Sequence, residues 1–536
     1  MKKSTLISSL AIFGLVAILP VLWIIADSLL HNGSLSLESY KGVLSDNRQI
    51  LLFKNSLILA LGTAFFSLAI GVPLAFLVAR TNLYFRKYLK YLYLVPLIIP
   101  PHVNAIAWIF LLGTKGRLNL LLAKLLSIDG PFFTIYGMKG AILVLGLSYF
   151  PIITILAISG LSSMDRGLEE AGMVSSSSVG VVRKITLPLI MPNIMAGAIF
   201  VVIFSLSNYG VPALLRLNVY PVEIFARFSA FYDSKGAVAL SMPIILITFF
   251  LLWLQRQQMK DRPYITLGTG TRTPHPFNLG LWNLPATSFA AVILLLSVVL
   301  PMSVLIMESG SLMAYKVAFK TAHRQILTSL ILGLTAATLG TVLSFFVSYI
   351  LERTRWKGKG LIDFLSFAPF AVPAAILGIG LIKTWNRTST DFIYGSSIIV
   401  IFAYVARFSP FAIRAIWANI KQINTSLEEA AVLSNPSWTA RILKVLMPLS
   451  SSGLLGGWII TFIFCMGELG TTLLVVPPGK ATLSIRIYTL MHYGAGNLVA
   501  SLCLILIAAT LLPITFLMLV SAKRRLGRDT SGLVKQ

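Results

Sequence analysis

The sequence predicts an all-α polytopic membrane protein, with twelve transmembrane helices arranged as two tandem six-helix repeats. Three observations predict it. Of the 536 residues, 57% are hydrophobic and only 12% are charged, whereas a soluble chain carries about 25% charged residues. Apolar runs of about 20 residues, long enough to cross a bilayer as a helix, recur along the chain. The second half of the sequence also repeats the first.

The net charge of +26 would suggest a nucleic-acid partner in a soluble protein. Here the basic residues sit in short loops between apolar runs, which reads as membrane topology. No nucleic-acid motif accompanies them. Cys465 and Cys503 both lie within apolar runs, so neither a disulfide framework nor a cysteine-based zinc site is expected. His31, His102, His275, His323 and His492 are scattered; no two share a span at ligand spacing, and no metal site is expected.

The twelve spans are expected near residues 6–30, 56–79, 91–112, 140–162, 189–210, 237–255, 285–307, 326–351, 361–383, 395–418, 452–475 and 497–521. Each must be helical, because lipid offers the backbone no hydrogen-bond partner. The first run is longer than the apolar core of a signal peptide, about 7–15 residues, and reads as a retained span. The positive-inside rule places both termini in the cytoplasm, with Lys523-Arg524-Arg525 the strongest cluster. Pro96, Pro100, Pro369 and Pro373 read as helix kinks. Trp23, Trp108 and Trp282 read as interface anchors.

The doubling shows in fixed offsets. Asn55-Ser56-Leu57-Ile58 corresponds to Thr328-Ser329-Leu330-Ile331, Arg80-Thr81 to Arg353-Thr354, and Pro96 and Pro100 to Pro369 and Pro373, all at an offset of 273. Later, Pro151 matches Pro410, Glu170 matches Glu429 and Pro188 matches Pro448, at 259 or 260. Six spans is an even number, so both copies face the membrane the same way, as a parallel repeat. The expected division is a first half over 1–262, a cytoplasmic linker over 263–284 and a second half over 285–536.

Each half carries one long cytoplasmic segment, 165–188 and 424–448. The first contains Leu168-Glu169-Glu170-Ala171-Gly172 and ends in Pro188; the second contains Leu427-Glu428-Glu429-Ala430-Ala431 and ends in Pro448. Asp165 and Asn424-Thr425-Ser426 are helix-start residues, and the carboxylates behind them favour the positive end of the helix dipole. Ser175 to Ser178 and Ser434-Asn435-Pro436-Ser437 mark a turn, and a second helix carrying Arg183-Lys184, or Arg441 and Lys444, leads into the next span.

This pattern resembles the EAA loop of ABC importer permeases. The fused, twelve-span form looks most like the ferric-iron group, with thiamine and phosphonate permeases close behind. The resemblance implies type I-like permease halves whose loops dock on two copies of an ATP-binding ABC subunit, through Glu169, Glu170, Ala171, Gly172, Glu428, Glu429, Ala430 and Ala431. It implies an extracytoplasmic solute-binding protein and a place in the bacterial inner membrane. The chain itself would hold no cofactor and catalyse no covalent step; ATP and magnesium would be used by the partner ATPase. Where the family usually has glycine six residues after the glutamate, this chain has Ser176 and Asn435. No P-loop is present, the nearest fragment being Gly479-Lys480-Ala481. The expected function is inward translocation of a small solute: ferric iron first, thiamine, phosphonate or another small organic solute as alternatives. An ion-coupled secondary transporter is the rival of another class. It would need no such loops and would usually carry more intramembrane carboxylates than Asp27 and Glu468.

Two charges fall at membrane depth, Arg407 and Glu468, where insertion of each costs about 2.5–3.5 kcal/mol. Their counterparts in the first half, Ser148 and Asn208, are neutral. At 1.5 Å per residue the two differ in depth by roughly 6–12 Å, so a direct pair is strained. Two readings stay open: an ion pair joining helices, or part of a substrate path or gate. Helix breakers recur beside them, at Asn208-Tyr209-Gly210-Val211-Pro212 and Gly467-Glu468-Leu469-Gly470. Irregular backbone at that depth survives only inside protein or beside a cavity.

Overall fold

The computed structural model describes residues 2–31, 34–35, 40, 47–127, 130–259, 277–433 and 437–533. Ten of its helices are long and apolar enough to cross a membrane, or up to twelve if each of two bent helix pairs is one span. Each of the twelve expected runs has a helical counterpart, from Lys3–Ser28 to Gly496–Ser521. A two-residue ladder, Leu30–His31 with Ser34–Leu35, follows the first span. Most of the linker expected at 263–284, and Asn435, lie outside the described residues. The end of that linker is held to the first half, where Phe277 N–H donates to the Arg80 carbonyl and Asn283 Nδ2 to the Asn82 carbonyl.

Within each half, three spans form the packed centre: Asn47–Arg80, Met138–Ser163 and Ser178–Leu206 in the first, Leu312–Arg353, Ile398–Gln422 and Ser451–Met466 in the second. Small residues let these helices approach, and hydroxyls bond across them, as membrane helices require in the absence of a hydrophobic drive. Thr154 Oγ1 donates to the Gly71 carbonyl at 3.2 Å, and Ser348 Oγ to the Ile413 carbonyl at 3.0 Å.

Proline shapes the spans in two ways. Where Leu19, Leu187, Leu300 and Met447 each precede a proline, the turn ahead widens to a π-helix: Gly14–Ile18, Val182–Thr186, Leu295–Val299 and Ile442–Leu446. A proline ring collides with the carbonyl four residues back and donates no hydrogen bond, and one widened turn absorbs both defects. Pro100 and Pro373 do more than the expected kink. The residue before proline is driven to extended backbone, and Ile99 (ψ 112°) and Val372 (ψ 134°) leave the helix there. The third span is therefore three pieces, Arg86–Leu92, Val95–Ile98 and Pro101–Leu112, rather than one helix. In the ninth, Lys359–Ala371 and Ala374–Trp385 meet at 105°. Pro96 and Pro369 each sit in the first turn of a four-residue helix and start it instead of kinking a longer one.

The first and seventh spans cross over. The first packs on the second half: Asp27 pairs with Lys383, Arg387 lies 4.6 Å from the Trp23 ring, and Gly380 faces the Pro20 carbonyl. The seventh, Gly280–Ser309, packs on the third span of the first half as well as on its own twelfth, and Glu308 pairs with Arg117 at 2.9 Å. Of the expected interface anchors, Trp23 and Trp282 are exposed. Trp108 is buried, because it lies within the third span where the halves converge.

A side chain at Gly380 would place its Cβ 2.6 Å from the Pro20 backbone oxygen, whereas one at Gly14 meets nothing. Gly380→Val is expected to cost about 1–3 kcal/mol through overpacking and Gly14→Ala very little. The thermal unfolding midpoints of the two variants in detergent check this.

Candidate functional site

The loop helices form as their start signals require. Asp165 accepts a hydrogen bond from Gly167 N–H at 3.0 Å ahead of Arg166–Ser175, and Asn424 accepts one from Ser426 N–H at 3.1 Å ahead of Thr425–Leu433. Ser177 and Ser437 cap the second loop helices through Gly180 and Ala440 N–H. From there the two halves differ. Ser178–Leu206 is one continuous helix, while Trp438–Leu449 and Ser451–Met466 bend by 75°. Ser176, in the usual glycine place, has φ −149°, extended backbone that any residue adopts.

The paired glutamates face different surroundings. Glu170 and Glu429 are exposed, as are Ala171 and Ala430; Ala431 is half-buried. Gly172 is buried, and a Cβ there would stand 2.5 Å from Ile185 of the following helix. Leu168, Met173 and Val174 extend the exposed face of the first loop helix, and Leu427 that of the second. Glu169 turns inward. It lies 3.4 Å from Arg80 and accepts a hydrogen bond from Thr186 Oγ1 at 2.9 Å. Glu428 likewise meets Arg353 at 2.6 Å.

Each arginine also clamps the end of a third helix. Arg80 Nη2 donates to the Leu161 carbonyl at 2.7 Å; Arg353 Nη2 donates to the Ile420 carbonyl at 3.1 Å and to that of Ile423 at 2.6 Å. Leu161 and Ile420 are repeat equivalents, as are the two arginines and the two glutamates. One guanidinium in each half thus fastens the second (or eighth) span, the carboxyl end of the fourth (or tenth) and the loop helix. Sequence reasoning missed this role for Arg80 and Arg353. The signal was there, in Arg-Thr recurring at the repeat offset where a span ends.

Asn208, Tyr209, Arg407 and Glu468 line one cavity of about 100 Å³ between the halves, with His102 and Tyr149. Helix breaks build it. The fifth span stops at Leu206 and the eleventh at Met466. Asn208 Oδ1 then accepts from Val211 N–H at 3.0 Å, and Glu468 Oε1 from Thr471 N–H at 2.9 Å, so the same cap restarts the chain in each half. Arg407 Nε stands 3.9 Å from Glu468 Oε1, close enough for an ion pair but beyond a hydrogen bond. The two charges come this close despite the depth difference of roughly 6–12 Å expected along straight helices.

The cavity is closed on two sides. Phe204, Phe411 and Phe464 each sit four residues toward the loop face from Asn208, Arg407 and Glu468, with ring centroids 5.1–5.5 Å apart. On the other side Tyr209 and Tyr488 join their hydroxyls at 2.9 Å across the halves, over Leu469 and Ile485.

This architecture is that of an integral membrane protein with one long loop per half. Residues 71–262 match the family model described as "Binding-protein-dependent transport system inner membrane component". More particularly, the chain is similar over most of its length to permeases of ferric transport. It is 22% identical over 499 residues to the ferric transport system permease protein of Actinobacillus pleuropneumoniae, covering 89% of this chain and 72% of that one. It is 22% identical over 491 residues to an Fe(3+)-transport system permease protein of Haemophilus influenzae, covering 89% and 90%. A spermidine/putrescine transport system permease protein of Escherichia coli is 23% identical over 201 residues, 38% of this chain and 73% of its own.

Glu169 is 8% exposed beside Arg80, and Glu428 is 24% exposed beside Arg353. Arg80→Gln is therefore expected to cost about 3–5 kcal/mol, as breaking a buried pair does. Arg353→Gln should cost less, because water reaches Glu428. Unfolding midpoints of the two purified variants give the comparison.

Proposed function

We propose that this chain is the translocation subunit of a binding-protein-dependent importer that moves ferric iron inward. Separate ATPase subunits, one per loop, would supply the drive, and a solute-binding protein on the opposite side would deliver the cargo. The loop face and both termini are then cytoplasmic. The observation that carries this reading is the matched pair of loops, each with one carboxylate anchored to an arginine and its neighbour exposed, in a chain that resembles ferric permeases over 89% of its length.

The geometry supports one route for the coupling. An ATPase docks on the exposed face of each loop helix, where Glu170 or Glu429 meets a basic partner in a charge-assisted contact and Ala171 or Ala430 permits close approach. Movement of the loop helix passes through Glu169–Arg80 or Glu428–Arg353 to the span ends that the same arginine holds. The halves then part at the cavity, and the phenylalanine and tyrosine closures on its two sides open in alternation. Asn208, Tyr209, Arg407 and Glu468 are the path residues in this scheme.

Glu170→Arg and Glu429→Arg should each weaken ATPase co-purification and lower ⁵⁵Fe uptake in the reconstituted system at least tenfold, with the permease level unchanged. Full uptake in both variants would refute the docking role. Accumulation by the permease alone, with no ATPase, would refute the importer.

A further inference from the structure

We propose that the cavity between the halves binds a compact oxyanion on the Arg407 guanidinium: a carboxylate, phosphate or phosphonate group, either free or as the anionic shell of a chelated metal ion. The inference rests on reading this cavity as the solute path, and names the chemical class that the path accepts.

The acceptors are already used. A carboxylate offers about four lone-pair sites. Glu468 spends Oε1 on Thr471 N–H at 2.9 Å, and Oε2 on Thr472 N–H at 2.9 Å and on the Thr472 hydroxyl. Its one remaining direction faces Arg407. A bare cation entering here finds the carboxylate oxygens already used, and a guanidinium repels it.

The donors are in surplus. The Arg407 side chain is only 8% exposed, its Nη1 has no hydrogen-bond partner, and its carboxylate neighbour is too distant to accept a hydrogen bond from Nε. His102 Nε2 and Ser207 Oγ line the same cavity, also buried and without partners. A planar fork of N–H groups, with a ring nitrogen and a hydroxyl beside it, suits an oxyanion.

The site is single. Ser148 stands at the position of Arg407 in the first half, and its hydroxyl is occupied by Asn104 Nδ2 at 3.1 Å and the Val144 carbonyl at 2.8 Å. The first repeat therefore offers no counterpart of this site among the described residues. The phenylalanine cluster and the Tyr209–Tyr488 contact on its two sides would occlude what it holds.

The test uses the full chain in nanodiscs, with [³²P]phosphate and ⁵⁵Fe-labelled ferric citrate as probes and Mn²⁺ as the cation control. Saturable binding of at least one anionic probe, near one per chain, is expected, with none of Mn²⁺. Phosphate binding marks a free oxyanion; ferric citrate binding alone marks a chelate. Arg407→Gln should weaken binding at least tenfold, and Arg407→Lys less. The double variant Arg407→Gln, Glu468→Gln leaves no lone buried charge. It should remain folded, with a midpoint lowered by the loss of the acceptor that Glu468 Oε2 gives Thr472 N–H, and fail to bind, whereas a purely structural pair predicts that the folded variant binds as wild type does. Wild type that binds neither anionic probe, or a double variant that binds them as wild type does, overturns the proposal. Uptake by the complete transporter separates the two readings. If the double variant binds normally but loses uptake, the path stands and the anion class falls. If it also transports normally, the path itself falls.

Discussion

Every backbone polar group in the hydrocarbon layer must find its partner within the protein. That constraint decides where this chain is allowed to stop being a helix. The breaks after Leu206 and Met466 occur where the halves meet. At each break a side chain supplies what the helix gave up: Asn208 bonds Val211 N–H and Glu468 bonds Thr471 N–H. The cavity is thus a product of backbone satisfaction. The residues that repair the breaks are the same ones that give the space its polarity.

The loops show how one short sequence performs two tasks. In Glu169-Glu170 and Glu428-Glu429, adjacent positions on a helix face about 100° apart. One carboxylate therefore turns to the protein and the other to water. The inward one is held by an arginine at the end of a span, so the loop helix is tied to the transmembrane body as well as connected through the chain. The halves are unequal in this. Thr186 supports Glu169, and Leu446 stands at the matching place in the second repeat, so Glu428 relies on its arginine. With the bend at Ser450, this leaves the second loop the less rigid of the two.

Much of this was legible from the sequence because a bilayer imposes simple arithmetic. Apolar length gave the spans, and the repeat offset gave the doubling. The four residues named for the path do share one cavity, since the glycine- and proline-rich breaks beside them forced the backbone inward. What stayed hidden depends on three-dimensional neighbours. Pro100 reads as a kink in isolation, yet the extended Ile99 ahead of it separates two helices. Trp108 carries no mark that distinguishes an interface aromatic from a buried one. Arg80 and Arg353 look like ordinary basic residues at a membrane boundary, and only the positions of Leu161, Ile420 and the loop helices reveal what they hold.

The crossing of the first span carries a consequence for biogenesis. Asp27 finds its partner 356 residues later, at Lys383. At a translation rate of about 5–20 residues per second, roughly 20–70 s separate the emergence of one from the arrival of the other. During that interval the opening helix must wait in the bilayer with its docking face turned to lipid or to the insertion machinery. The ribosome's clock therefore becomes part of the assembly of this protein, and joining both halves in one polypeptide guarantees that the awaited surface always comes.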